Sequence, residues 1–203
     1  MKRGNGALLA QPQHGVVSAV DPVRNTVRVL LQPDGVETGD IPAPALAAGT
    51  LRIAIPLEVG TQVTLKPIGG DAEQFVVSTV LFDAVMTPPI SPQTGQPAQP
   101  GEFLVVTGQQ GAPPADGSAP QGAAADGGWW HVTPGGLFAG AGNCRLALRN
   151  GQAVLSVAGC TATLSPDGVT VSGGDVKADG ISLKTHVHGG VQGGSSLTGV
   201  PQE

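Results

Sequence analysis

The chain has no tyrosine, two tryptophans and four phenylalanines, so aromatic residues fill only 3% of its 203 positions. A thick core built on large side chains is therefore excluded. Charge is scarce as well, at 12% of residues with a net charge of −5. No lysine or arginine occurs from Pro67 to Cys144. That shortage argues against a nucleic-acid binder, which needs clustered cations to displace counterions. There are only two cysteines, Cys144 and Cys160, and their spacing matches no zinc-ligand pattern. Buried free thiols are expected of them in a cytoplasmic setting. No apolar run approaches the roughly 20 residues of a membrane-spanning helix. The start of the chain offers a basic pair, Lys2-Arg3, and a four-residue apolar run, Ala7 to Ala10. That run is too short for an export signal, so synthesis in the cytoplasm is expected. A nucleophile elbow, a phosphate loop and a zinc-protease helix are all missing, so no enzyme is expected.

What the chain does have is 32 glycines, 18 prolines and 40% apolar residues, mostly small or β-branched. Such a composition suits short strands joined by tight turns, and the apolar content argues against disorder. After a short tail over 1–12, residues 13–85 predict a small barrel of about five strands. The run from His14 to Leu31 reads as strand, turn and strand, with Asp21-Pro22 opening the turn. Further strands fit Leu51–Ile55, Gln62–Pro67 and Gln74–Phe82. Residues 84–140 read as a Pro/Gly-rich linker and neck: 84–101 cannot join a central sheet, 109–128 predicts a mobile loop, and Glu102–Gly108 is one further strand.

Residues 141–183 are the most informative stretch. Strand-like pieces at Cys144–Arg149, Ala153–Val157, Cys160–Leu164, Val169–Val171, Asp175–Ala178 and Ile181–Leu183 are separated by breaks such as Asn150-Gly151 and Asp179-Gly180. Small or apolar residues alternate within each piece, which signals one buried face. A single chain of such short pieces cannot bury that face. The pieces recur at about 6–9 residues with no fixed period, unlike the roughly 20-residue coils of a single-chain β-helix. Three intertwined chains are the expectation, with a trimer resistant to heat or SDS.

Residues 184–203 hold His186-Val187-His188. Two histidines at i and i+2 on an extended chain point the same way. One chain supplies two imidazoles; a threefold axis would gather six. Imidazole suits Fe, Ni, Cu or Zn, and six-coordination disfavours structural Zn. The plainer alternative is two exposed histidines in a Gly-rich tail. Strand parity adds a condition. With Ile181 and Leu183 inward, both histidines face outward unless the chain breaks its alternation near Lys184-Thr185.

Taken together, these segments resemble the baseplate assembly protein V family, the trimeric central spikes of P2-like and Mu-like contractile tails. The likeness rests on HGVVSAVDPVRNTVRVLL and VGTQVTLKPIGGDAEQFVVSTVLFD in the barrel region. It rests more specifically on the C-terminal run from Gly174 through His186 and His188 to Gly193. The resemblance implies an all-β fold: an OB-type barrel, then a trimeric intertwined β-helix with a pointed metal-bound tip. It implies one iron ion per trimer, held by His186 and His188 of three chains. Further implied are tail hub and baseplate partners for the barrel, a virion tail location after assembly in the host cytoplasm, and transient passage through the host outer membrane.

Other functions stay open. A tailocin or a type VI-like secretion machine would use the same device. An OB-fold nucleic-acid binder is disfavoured by eight acidic against four basic residues over 13–85. A receptor-binding fibre would need a bulky C-terminal head. Trp129-Trp130 reads as a packing anchor or a sugar platform, His14 as a strand-start residue, and His131 carries no assigned role.

Overall fold

The computed structural model describes residues 11–69, 74–84, 86–108, 126–190 and 193–194. They are all-β, and no helix occurs among them. The predicted loop over 109–128 lies outside the described residues as far as 125. The chain divides into two units. One runs through residue 90 and includes 95–97; the other holds 91–94, 98–108 and the described residues from 126 onward.

The first unit contains β1 (Gln13–Asp21), β2 (Thr26–Gln32), β3 (Ile41–Pro42), β4 (Leu46–Ala48), β5 (Leu51–Ile53), β6 (Gln62–Pro67) and β7 (Phe75–Leu81). Five of these form an antiparallel sheet in the order β3-β2-β1-β6-β7. Its two end strands, β3 and β7, approach each other. The sheet therefore curls into a partly closed barrel of the OB type. A register shift between Val17 and Ala19 supplies a bend in β1. Alternation turns Val27, Val29, Val63, Leu65 and Val77 inward beside Val17, Ile41 and Phe75, and all eight are buried. The β4–β5 hairpin stands apart from this sheet and leaves Leu46, Leu51 and Ile53 exposed.

The second unit contains β8 (Phe103–Val106), β9 (Gly128–Thr133), β10 (Gly136–Ala141), β11 (Cys144–Arg149), β12 (Gln152–Val157), β13 (Cys160–Ser165), β14 (Gly168–Ser172), β15 (Lys177–Ala178) and β16 (Ile181–Ser182). Strands β8 to β14 form one seven-stranded meander in which each strand pairs with its neighbour in sequence. The ladder thus takes in β8, β9 and β10, which precede the expected strand region at 141. From β9 onward the strands begin at 128, 136, 144, 152, 160 and 168. Two-residue turns join them, so the step is a constant eight residues. The expectation of no fixed period was wrong. Strand ends misjudged by one residue, and two unrecognised strands, concealed it.

This register sorts the inward side chains of the sheet into three rows that cross its strands. A large row runs Phe103, Val132, Leu137, Leu148, Ala153, Leu164, Val169. A middle row runs Val105, Trp130, Ala139, Leu146, Leu155, Ala162, Val171. A small row runs Gly128, Ala141, Cys144, Val157, Cys160. Every member is apolar, and much of the face is open: Leu155 is 47% exposed, Leu164 55% and Val169 70%, while Gly174 packs against the Cys160 sulfur. Hydrogen bonding between strands is satisfied within the chain. What one chain leaves open is the apolar face.

The opposite face is polar over β11–β14, with Arg145, Ser156, Thr161, Thr163, Thr170 and Ser172. Near β9 and β10 it is covered. Trp129, His131 and Phe138 are buried there. A Cβ on Gly140 would stand 2.8 Å from the Trp129 ring and from the Cys144 carbonyl oxygen. Gly140 is thus the gap into which the indole lies. The Arg145 guanidinium sits 5.6 Å above that ring. The two tryptophans point to opposite faces: Trp129 is buried, while Trp130 meets Phe103 edge-on at 5.8 Å on the open face. The Pro-rich stretch joins no central sheet, but Ser91 within it is fully buried.

Candidate metal-binding tip

Beyond β14 the chain narrows to a two-residue-per-strand hairpin. Lys177 pairs with Ser182 and Ala178 with Ile181. Asp179 and Gly180 turn the corner with φ of 47° and 84°. Both lie in the left-handed region, which Asp-Gly adopts readily in such hairpins. Past the hairpin, Leu183 N–H donates to the Val176 carbonyl at 2.8 Å, and Lys184 N–H to Asp175 Oδ1 at 3.2 Å.

Here the strand alternation breaks, at the place where parity required it. Ser182 organises the break. Its Oγ accepts the Thr185 N–H at 2.9 Å and the Thr185 hydroxyl at 2.8 Å. Its own hydroxyl bonds to Asp175 and, together with the Lys184 and Val176 N–H groups, holds that carboxyl below the usual range, against partial burial. The Ser182 carbonyl accepts the His186 N–H at 3.0 Å. The chain has made one helix-like turn over 182–186.

That turn orients His186. Its Nδ1 lies 2.9 Å from the Ser182 carbonyl oxygen and 3.2 Å from that of Leu183. Carbonyls only accept, so the ring proton sits on Nδ1 and the Nε2 lone pair is free. A backbone carbonyl fixing the non-ligating nitrogen is the usual support of a metal-bound histidine. The His188 ring centre is 5.0 Å from that of His186, with planes at 79°. Both rings are exposed. Among the described residues, no three His, Cys, Asp or Glu side chains of one chain converge to hold a metal. The donor set of a single chain is this pair of imidazoles, which suits a borderline metal but leaves most of its coordination sphere open.

A second constellation was not visible in the sequence. His131 is fully buried, with Nδ1 2.8 Å from Ser91 Oγ and Nε2 3.1 Å from Glu102 Oε2. The Glu102 carboxylate also accepts the Gln99 N–H at 2.8 Å. That bond first, and the one to His131 after it, holds the Glu102 carboxyl below its ordinary range, against partial burial. Ser91 Oγ accepts the Gln93 N–H at 3.1 Å and donates its proton to His131. The set resembles a catalytic triad in composition alone. Ser91 has no exposed surface, and it meets Nδ1 where the hydrolase serine meets Nε2. It pins the segment carrying Ser91 onto β9. His14 is exposed at the start of the barrel.

The two thiols are free, and Cys144 is exposed on the open face. Cys160 is half-buried, and both line the face that one chain was expected to leave uncovered.

Residues 180–202 match the family model described as the GpV Apex motif. The match takes in the turn at Gly180, the break over 182–186 and both histidines. No curated protein matches the chain.

Proposed function

We propose that this chain, which belongs to the phage baseplate assembly protein V family through its apex motif, is the central spike of a contractile tail and breaches the host outer membrane when the sheath contracts. As a baseplate protein it belongs to the virion tail. The finer reading is a homotrimer whose shaft is closed by the open sheet face and whose point is closed by a metal.

The observation that supports this most is the three-row apolar face. Seven strands about 4.8 Å apart, five with three inward residues and two with two, give a footprint of roughly 500 Å². That is the size of the largest apolar patch on an ordinary monomer, and such patches commonly mark an interaction surface. Two more copies of the same face would cover it. The tip favours the same number. Three chains bring six imidazoles from His186 and His188 to one axis, and iron is the metal the resemblance implies. The ion would tie together three chain ends that have almost no core, since Ile181, Leu183 and Val187 are exposed. The exposed Leu46, Leu51, Ile53 and Ile55 of the barrel unit are the surface this reading gives to the tail hub.

Two measurements test it. Sedimentation of the purified chain at micromolar concentration should give a trimer; a monomer would sink the proposal. Elemental analysis should find one metal per three chains, lost on replacing His186 and His188 with alanine. Unchanged metal content in that variant would remove the tip from the reading and leave the shaft untouched.

A further inference from the structure

We infer that the corners of the trimer are formed by the large row of one chain packing, strand for strand at the same height, against the small row of the next. This rests on the trimeric reading above and goes beyond it to the register of the contact.

The argument begins with size. A six-residue strand is about 20 Å long, and a triangle of that side has its centre about 6 Å from each face. The middle row therefore meets at the axis, at about the reach of a leucine side chain. The outer rows lie near the corners, where the inner faces of two sheets converge and room runs short. Two bulky residues cannot share a corner without strain, and two small ones leave a void.

Within each strand the outer inward residues are matched in the opposite sense. Strand β10 carries Leu137 with Ala141, and β11 carries Leu148 with Cys144. In β13 Leu164 stands with Cys160. In β12 the order is exchanged: the large row drops to Ala153 while the small row rises to Val157. In β9 Val132 stands with Gly128, so each of these strands pairs a larger outer residue with a smaller one, although the row that supplies the bulk changes. Cyclic symmetry at equal height places the large-row residue of one chain against the small-row residue of the same strand in its neighbour. A slip by one strand breaks the match: Leu148 would meet Val157 and Ala153 would meet Cys160, one corner overfilled and the next empty. Equal height also brings the three tips level, which sharing one ion requires.

The full-length chain carries its own probe, because Cys144 is exposed on the small row. In a Cys160→Ala background, Leu148→Cys sets a thiol opposite Cys144 of the adjacent chain. Oxidised glutathione accepts the two electrons as each pair of thiols closes. After complete denaturation in guanidinium, electrophoresis should then show covalent dimers and trimers that disappear on reduction and on adding Cys144→Ser. A second pair, Ala153→Cys with Val157→Cys in a background lacking both native cysteines, repeats the test at a site where the bulk is exchanged. Trimers in sedimentation without cross-links from either pair would overturn the register and leave the trimer standing. Cross-links that stop at the dimer would replace the prism by a two-sheet sandwich. Monomers from the unmodified chain would overturn the trimeric reading itself.

Discussion

The two units solve one problem in opposite ways. The barrel curls a five-stranded sheet until its own strands cover its apolar face, and Val29, Val63 and Leu65 reach zero exposure. The meander has more strands and as many apolar residues on one face, yet it does not curl, and Leu155 and Leu164 remain about half exposed. The difference lies in connectivity. Loops of several residues and register shifts let the barrel bend. Two-residue turns at a constant step hold the meander to one repeated pairing. A sheet that does not close on itself leaves its apolar face for another surface, so one unit covers its own core and the other does not.

Substitutions can break that contrast. The largest effect is expected for Leu155→Asp in the middle row. It should abolish the trimer at micromolar concentration in sedimentation while leaving the barrel's unfolding transition in place. Leu65→Ala should do the reverse. It should cost the barrel about 2–5 kcal/mol in denaturant titration, as cavity-forming core substitutions do, with self-association retained. If both variants acted on the same transition, the two units would not be independent.

Smaller changes sharpen the contrast within the second unit. Gly140→Ala drives a methyl group into the Trp129 ring, and should lower that unit's stability by about 1–3 kcal/mol in a thermal melt without altering the barrel. Ser182→Ala removes the acceptor that shapes the turn before His186. By analogy with other supports of metal-bound histidines it should weaken metal retention about tenfold or more, read by competition with a chelator, while the trimer persists. The smallest effect concerns Glu102. Its carboxyl titrates lower in the folded protein than its ordinary value of 4.5. Its stabilising contribution is therefore present above that value and lost as pH falls through the folded one. The melting temperature of Glu102→Gln should lie below that of the unmodified chain at pH 7, and the gap should narrow as pH falls below 4.5. A gap that did not change with pH would show that the lost contact is not the ionised one.

Much of this was legible in the sequence where local rules decide. Gln62–Pro67 and Cys144–Arg149 read directly, because alternation and flanking turn residues agree. The parity argument placed a break between Leu183 and His186, and the Ser182 turn stands there. What could not be read was tertiary. Strands β9 and β10 escaped notice because Gly, Trp and His interrupt their alternation, and only pairing with β11 makes strands of them. His131 had no visible role because Ser91 lies 40 residues away, in a proline-rich stretch with no pattern to tie it to β9. The exposed thiol at Cys144 lies on the face that one chain was expected to leave uncovered.

The constant step has a consequence for how such a shaft could change its length. Neighbouring strands run in opposite directions, and their inward positions alternate between odd and even residues. The full repeat is therefore two strands, or sixteen residues. Gaining or losing sixteen residues would lengthen or shorten the sheet by about 10 Å and leave every other side chain on its own face. Gaining or losing eight would turn all apolar residues beyond that point to the solvent. Length is in this sense quantised: it can be set by whole hairpins, with every remaining strand keeping its face.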